Sequence, residues 1–309
     1  MSANTREMLH SILAVHYRHR EQPPARLEAW HEGQRAWREW YRIGQSESWG
    51  TEGGGQQMQA DRPGLTAASK TALERARCRF YQYLSRLSGR RPIPLGAVDF
   101  GNFDRTDPIS LDFGWDRGTP IDRYYIEAFL SRHASDIAGR VLEMGDDLYS
   151  RTYGGSKISK QDVLHLNRES PNATLLGDLT TPGVVPENAF DCIVFTQTLQ
   201  IIFQLEKAVA RLHAALKPNG ILLLTAPGIS QIDRGEWNEQ WSWSFTAKSL
   251  RRLFEGKFAA SEIDVDSFGN VYAATAFLQG VAIEEVAHAK LDIRDPAYPV
   301  ILALRARKL

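Results

Sequence analysis

The sequence predicts an α/β fold built on a doubly wound, largely parallel sheet. Three observations predict it. From about residue 136, short apolar runs alternate with helical stretches, as in chains where strands and crossover helices follow one another. The runs are almost continuously apolar, which is typical of strands buried on both faces. Two further strand-like runs lie at the end of the sequence.

The expected elements follow in order. Strands are predicted at residues 140–144, 162–166, 173–178, 190–195 and 220–226. Residues 205–216 have the spacing of an amphipathic helix, which the sequence "KPNG" ends with Asn219 or Gly220 in a left-handed turn. The late runs at 261–268 and 297–307 are expected to form an antiparallel, hairpin-like edge of the sheet.

Four regions are predicted along the chain. Residues 1–43 have the pattern of amphipathic helices rich in tryptophan, and residues 44–65, rich in Gly, Gln and Ser, indicate a flexible linker. Residues 66–135 are expected to form a helical extension with a lid before the first strand, and residues 136–309 to form the α/β domain. The N-terminal helices are a possible surface for self-association or for docking a partner.

Composition narrows the class of protein. Among 309 residues, 37 basic side chains balance 37 acidic ones, so net charge favours neither a nucleic-acid binder nor a membrane binder. Two cysteines cannot make a disulfide framework or a cysteine-based zinc site, and no metal site is predicted. No signal peptide and no apolar run of about 20 residues is found, so we expect a cytoplasmic protein.

The motifs of the α/β region resemble those of the class I S-adenosylmethionine-dependent methyltransferases. They are "VLEMGDDLYSRTYGG" at the first strand, "GDL" after the third, "ENAFDCIVFTQTLQII" at the fourth, and "LHAALKPNGILLLTAPG" before and along the fifth. The resemblance covers roughly residues 110–309 and implies a seven-stranded Rossmann-like sheet with its last strand antiparallel. It also implies S-adenosylmethionine as the cofactor.

A narrower resemblance is to a bacterial group of methyltransferase-like proteins found beside glycosyltransferases. It is carried by "FGWDRGTPIDRYYIEAFLSRH", "WSFTAKSLRRLF" and "GNVYAATAFLQG". In that group the first motif is habitually Glu-apolar-Gly-Asp rather than glycine-rich. This favours a variant cofactor loop over a decayed one.

The first motif implies a cofactor site with one glycine. Gly145 would allow close backbone approach, and Glu143 would orient the loop or meet the methionine ammonium. Asp146 and Asp147 would add negative charge beside the ammonium and sulfonium, and Tyr149 would wall the pocket. The alternative left open is that the aspartates only cap the following helix.

Further cofactor contacts are expected at the ends of the next three strands. His165 or Asn167 stands where the family places an acid that binds the ribose hydroxyls, although either forms weaker hydrogen bonds than a carboxylate. Contacts to the adenine and to the mouth of the site are expected from Asp178, Leu179, Gln197 and Thr198.

The acceptor is expected to bind at residues 228–246, after the fifth strand. Trp237, Trp241 and Trp243 offer flat faces to a sugar or an aromatic ring, or else pack within the loop. A hydroxyl acceptor needs a general base, for which Asp233 and Glu236 are the candidates.

The segment before the first strand is expected to act as a lid. Arg123 and Tyr124 are predicted to meet a polar acceptor there. The alternative is a structural ion pair of Asp122 with Arg117 or Arg123.

The function predicted is methyl transfer to a hydroxyl of a small molecule, either a sugar or a glycosylated or other natural product, with no nucleic acid involved. Two alternatives stay open. One is a degenerate binding or accessory protein with this fold, and the other is a cofactor-binding enzyme with non-methylating chemistry.

Overall fold

The computed structural model describes residue 93, residues 96–166 and residues 171–309. Residues 100–309 form one compact unit. The predicted helices and linker of residues 1–65, and most of the predicted extension, lie outside the described residues, so those boundaries stay predictions. Within the described ranges, no helix has both the length and the apolar character needed to cross a bilayer.

Seven strands form one sheet in the order β3-β2-β1-β4-β5-β7-β6. The strands are β1 (Gly139–Met144), β2 (Ile158–His165), β3 (Leu175–Leu176), β4 (Phe190–Thr196), β5 (Leu216–Pro227), β6 (Ile263–Phe268) and β7 (Ile301–Arg307). Strands β1 to β5 pair in parallel, and β7 is antiparallel to both β5 and β6. The prediction of a doubly wound α/β sheet is confirmed.

Six α-helices accompany the sheet in the described part of the chain: α1 (Ile121–Arg132), α2 (Leu148–Gly154), α3 (Leu205–Ala215), α4 (Ala247–Glu255), α5 (Val271–Leu278) and α6 (His288–Leu291). Alternate residues of β1 face opposite layers, since Val141 packs in one apolar cluster with α1 and α5 while Leu142 packs in the other with α3 and α4. The two clusters are the two halves of the core.

The sequence placed most strands within a few residues, with two differences. The predicted strand at 173–178 is only two residues long, because Gly177 takes φ +129° and starts a turn. The late strands form the predicted antiparallel edge, but not as a simple hairpin: α5 and α6 lie between them in the chain, and β7 also pairs with β5, so that β6 is the edge strand. Asn219 has the predicted left-handed conformation, with φ +65°, but lies within β5, which begins directly after α3.

Candidate functional site

The carboxyl ends of the parallel strands meet at one edge of the sheet, called the carboxyl edge below. The chain runs from β1 outward to β2 and β3 and then returns to β4 on the other side of β1. Ligands of doubly wound sheets bind where the strand order reverses in this way. The loops after β1, β4 and β5 are therefore the first candidates for a site.

Gly145 begins the loop after β1 in a left-handed conformation. Its φ is +82°, and a Cβ added there would meet no atom within 4 Å. Its N–H donates to the carbonyl of Leu164 on β2 at 3.0 Å, which holds the backbone beside the neighbouring strand. The glycine is required by the backbone, and the space in front of it is open to a ligand.

Glu143 is buried at the end of β1 and holds the start of α2. Its side chain is 1% exposed and accepts hydrogen bonds from the N–H groups of Tyr149 at 3.1 Å and Ser150 at 2.8 Å, and from the Ser150 hydroxyl. Burial raises the pKa of Glu143 to about 7, while the bonds from Ser150 and Tyr149 act in the opposite direction. Glu143 thus orients the loop through its protein contacts.

The two aspartates of the loop also contact protein. Asp146 is exposed, and its carboxylate accepts from the N–H of Leu148 at 3.0 Å in the first turn of α2. Asp147 precedes the helix without capping it and instead pairs with Arg151 at 2.5 Å. Asp146 therefore binds the first N–H of α2 from the position before the cap residue, and contact of either aspartate with a cofactor stays a prediction.

The residues predicted after β2 and β3 lie on the same edge. His165 ends β2 and is half-buried, whereas Asn167 lies outside the described residues. Asp178 is exposed, and one of its carboxylate oxygens accepts from the N–H of Thr180 at 2.7 Å and from its hydroxyl at 2.9 Å. Leu179 is 4% exposed and belongs to the core.

Gln197 occupies a strained position at the end of β4. Its φ is +45°, uncommon for a residue with a side chain, and its N–H donates to the carbonyl of Thr225 on β5 at 3.0 Å. The neighbouring Thr198 donates its hydroxyl to the carbonyl of Thr196 at 2.8 Å. Gln200 is buried and donates its amide to the Gln197 carbonyl at 2.8 Å. This turn is a fixed wall of the site.

The loop after β5 is anchored to the loop after β4. The Gln200 carbonyl accepts from the N–H groups of Ser242 at 2.9 Å and Trp243 at 3.2 Å. The Trp243 indole donates to the carbonyl of Ile202 at 3.2 Å, and its ring stacks on Phe203 with centroids 5.8 Å apart. Phe203 is 73% exposed, so one aromatic face of this pair is accessible at the carboxyl edge.

The remaining acceptor-side candidates occupy the middle of the same loop. Asp233 is half-buried and accepts from the N–H of Trp237 at 2.8 Å through one carboxylate oxygen. Glu236 is exposed. Trp241 stacks on Phe113, a residue that precedes α1, with centroids 6.4 Å apart. The sequence brought these groups to one loop, and the fold adds the contact with Phe113.

The lid candidates separate into two groups. Arg123 donates to the hydroxyl of Tyr149 at 3.0 Å, and Tyr149 lies in the first turn of α2, directly after the loop that follows β1. Tyr124 points elsewhere, because its hydroxyl donates to Asp292 at 2.6 Å after α6. Of the two ion pairs suggested for Asp122, the one with Arg117 is wrong, since Arg117 pairs with Glu285. The one with Arg123 is present, with the Arg123 Nε 3.7 Å from the Asp122 Oδ1. Consecutive helix residues face different directions, which explains the separation.

Four residues of the site carried no signal in the sequence. They are Ser150, which binds Glu143; Phe113, with φ +52°; Trp115, whose ring lies under the Arg123 guanidinium at 5.5 Å; and Gln200, which anchors the acceptor loop. Phe113 and Gln200 act through partners distant in the chain. Ser150 and Trp115 lie in the same quoted motifs as their partners, but the residue pattern does not show which side chains of those motifs meet.

Comparison with known families identifies the chain. A family model described as a methyltransferase domain matches residues 74–258, more than half of the sequence. The chain belongs to this methyltransferase family. No curated protein matches it. The match confirms the resemblance to class I S-adenosylmethionine-dependent methyltransferases and supports S-adenosylmethionine as the cofactor.

Solved structures similar to this methyltransferase include a SAM-dependent methyltransferase from Archaeoglobus fulgidus, with 12% identity over 60% of this chain and 94% of that one, and a TM-score of 0.42. A second, a methyltransferase from Mesorhizobium loti, has 15% sequence identity; the match covers 63% of this chain and 100% of that chain, with a TM-score of 0.41. A third is phosphoethanolamine N-methyltransferase 2 from Haemonchus contortus in complex with S-adenosyl-L-methionine. It has 16% sequence identity, and the match covers 71% of this chain and 62% of that chain, with a TM-score of 0.41. Because these sequence identities and TM-scores are low, the identification of the chain rests on the match to the family model.

Proposed function

We propose that this methyltransferase transfers the methyl group of S-adenosylmethionine to a hydroxyl of a small molecule, with a sugar or a glycosylated or other natural product as the acceptor. The cofactor part of the proposal rests on Gly145, whose backbone has a left-handed conformation and which has open space in front of it at the carboxyl edge. The residues present fit the cofactor, since a backbone without a Cβ leaves room for its close approach.

Several residues would hold the cofactor at this edge. The Gly145 backbone would face it, Asp146 would attract its positive groups, and Asp178 would use its second carboxylate oxygen for the adenine amino group. His165 would face the ribose hydroxyls and Gln197 the mouth of the site. When bound, S-adenosylmethionine supplies a sulfonium methyl group that is transferred in line to the acceptor oxygen, as the bond from methyl to sulfur breaks and S-adenosylhomocysteine leaves as a neutral thioether.

The acceptor half of the proposal depends on the loop after β5. The stacked pair of Trp243 and Phe203 offers an aromatic face to a flat ring, as Trp237 and Trp241 do in the middle of the loop. Asp233 would take the proton that the hydroxyl loses, because one of its oxygens is held by Trp237 and the other is available. Glu236 is the second candidate for this base.

Calorimetry with S-adenosylmethionine and S-adenosylhomocysteine tests the cofactor half. Heat of binding is expected from both ligands, and the absence of heat at millimolar concentration would favour a degenerate binding protein with this fold. A panel of glycosides and phenols is then assayed for release of S-adenosylhomocysteine. Cofactor binding without release for any acceptor would favour non-methylating chemistry or an acceptor of another class.

Paired variants test the base. Asp233→Asn keeps an oxygen that accepts from the Trp237 N–H, so the loop is preserved while the base is lost. We expect kcat to fall about 100-fold with the affinity for S-adenosylhomocysteine unchanged. Glu236→Gln is the matched comparison and is expected to leave kcat within about threefold. The reverse pattern would assign the base to Glu236.

A further inference from the structure

The side chain of Arg123 is half-buried, but its guanidinium makes few hydrogen bonds. It lies over the ring of Trp115, 5.5 Å from the centroid, and donates through one nitrogen to the hydroxyl of Tyr149 at 3.0 Å. Its Nε is buried and has no hydrogen-bond partner. A guanidinium has five N–H donors, so most of its binding capacity is not used by the described residues.

Asp122 does not complete the site. Asp122 is 6% exposed, and its Oδ1 is buried without a hydrogen-bond partner. This oxygen lies 3.7 Å from the Arg123 Nε. That distance is too long for a hydrogen bond. Burial raises the pKa of Asp122, while the charge of Arg123 acts in the opposite direction. The two buried atoms attract each other as an ion pair, but neither has a hydrogen-bond partner, a costly arrangement unless a further group binds there.

Tyr149 connects Arg123 to the loop after β1. Its hydroxyl accepts from Arg123, and its backbone N–H donates to the carboxylate of Glu143 at 3.1 Å. Arg123 is therefore one side chain away from the loop that begins with Gly145. Tyr124, the next residue of α1, contacts Asp292 instead.

The charges of this loop leave one requirement unmet. The methionine part of the cofactor carries an ammonium and a carboxylate. Asp146 and Asp147 favour the ammonium but repel the carboxylate, which needs a cation close by. Arg151 pairs with Asp147 at 2.5 Å and its side chain is 68% exposed, so its remaining donors can bind water, whereas the Nε of Arg123 is buried without a hydrogen-bond partner.

We propose that Arg123 binds the α-carboxylate of S-adenosylmethionine, with Trp115 and Tyr149 fixing its guanidinium. The inference rests on the cofactor half of the proposed function. It gives Arg123 a cofactor as its ligand, where the sequence suggested a polar acceptor. A guanidinium binds a carboxylate through paired N–H donors, so a lysine would serve only in part.

A cycle of ligands and variants tests the proposal by calorimetry, without any need for turnover. S-adenosylmethionine is compared with its decarboxylated form, which lacks only the carboxylate, on the wild type, Arg123→Met and Arg123→Lys. The wild type is expected to bind S-adenosylmethionine about 10- to 100-fold more tightly than the decarboxylated form. Arg123→Met should bind both ligands equally, at the wild type's affinity for the decarboxylated form, and Arg123→Lys should retain part of the preference.

The control is Arg132→Met, on the same helix, whose guanidinium pairs with Asp266 at 2.6 Å and is expected to keep the wild-type preference. Thermal unfolding of every variant checks that the fold is retained. Equal weakening of both ligands in Arg123→Met would overturn the inference and assign Arg123 a structural role. If the wild type bound neither ligand, the proposed function would fail first, which is a distinguishable result.

Discussion

The loops after β1 and β5 leave the same edge of the sheet but are held in opposite ways. The first is held by a buried side chain, since Glu143 accepts the N–H groups that open α2. The second is held by backbone carbonyls and stacked rings, since Gln200 and Ile202 accept from it and Trp243 stacks on Phe203. The carboxylate of Glu143 is thus occupied by hydrogen bonds that fix the loop after β1. The ring of Phe203, which stacks on the loop after β5, remains accessible.

This difference indicates a division of roles. Close to β1, we expect the ligand to meet backbone around a left-handed glycine, with the charged side chains of Asp146 and Arg123 beside it. Around the loop after β5, the side chains themselves form the surface. Substitutions in the first loop are therefore expected to change cofactor affinity or stability, and substitutions in the second to change acceptor affinity alone.

The largest effect is expected from Gly145→Val. A β-branched residue at φ +82° costs about 1–3 kcal/mol of stability, and its side chain fills the open space before the loop. We expect the affinity for S-adenosylhomocysteine to fall by more than about 100-fold in calorimetry, near 3 kcal/mol. Gly183→Val is the matched control, because Gly183 has the same φ of +82° and equally open surroundings. Equal loss in both variants would mean that Gly145 matters only for the backbone.

Glu143→Gln is expected to change how stability depends on pH. The pKa of Glu143 is about 7 in the folded protein, against 4.5 for an ordinary glutamate. The folded state therefore holds the proton more tightly, and stability from this group is present below pH 4.5 and is lost as pH rises through 7. Denaturant unfolding from pH 5 to 8 should show a loss in the wild type, up to about 3 kcal/mol, that the variant lacks.

At pH 5 the carboxyl of Glu143 is protonated and the amide of the variant is its close mimic, so the two proteins should differ in stability by no more than about 1 kcal/mol at that pH. Glu127→Gln, at an exposed position of α1, is the control and should retain the wild-type slope. Parallel curves for wild type and Glu143→Gln would show that Glu143 does not titrate in this range.

Trp243→Phe tests the second loop. The change keeps an aromatic ring against Phe203 but removes the indole N–H that donates to the Ile202 carbonyl at 3.2 Å. We expect KM for the acceptor to rise about fivefold, the equivalent of roughly 1 kcal/mol, with kcat and the affinity for S-adenosylhomocysteine unchanged. A parallel fall in cofactor affinity would contradict the division between the two loops.

The smallest effect is expected from Asp178→Asn, which keeps an oxygen for the turn with Thr180 and removes the charge. Affinity for S-adenosylhomocysteine should fall about threefold. Thr180→Val removes a donor to Asp178 without changing the carboxylate and should leave that affinity within about twofold. If only Thr180→Val weakened binding, Asp178 would serve the turn alone.

The sequence located the strands of this methyltransferase domain because burial on both faces requires continuous apolar runs. It also placed Gly145, Asp178 and Gln197 at the ends of strands, where a parallel sheet collects its loops. It did not predict which carboxylate would hold the first loop. Asp147 had the more obvious capping position, yet Glu143 accepts the helix N–H groups from the end of β1.

Local pattern therefore determined the fold class, the order of strands and helices along the chain, and the glycine that a left-handed turn requires. Only the tertiary structure decided that β7 lies between β5 and β6, that Trp241 stacks on Phe113, and that Arg123 reaches Tyr149. The physical reason is the same in each case. These contacts join residues far apart in the chain, and their partners are selected by packing against a shared sheet rather than by neighbouring residues.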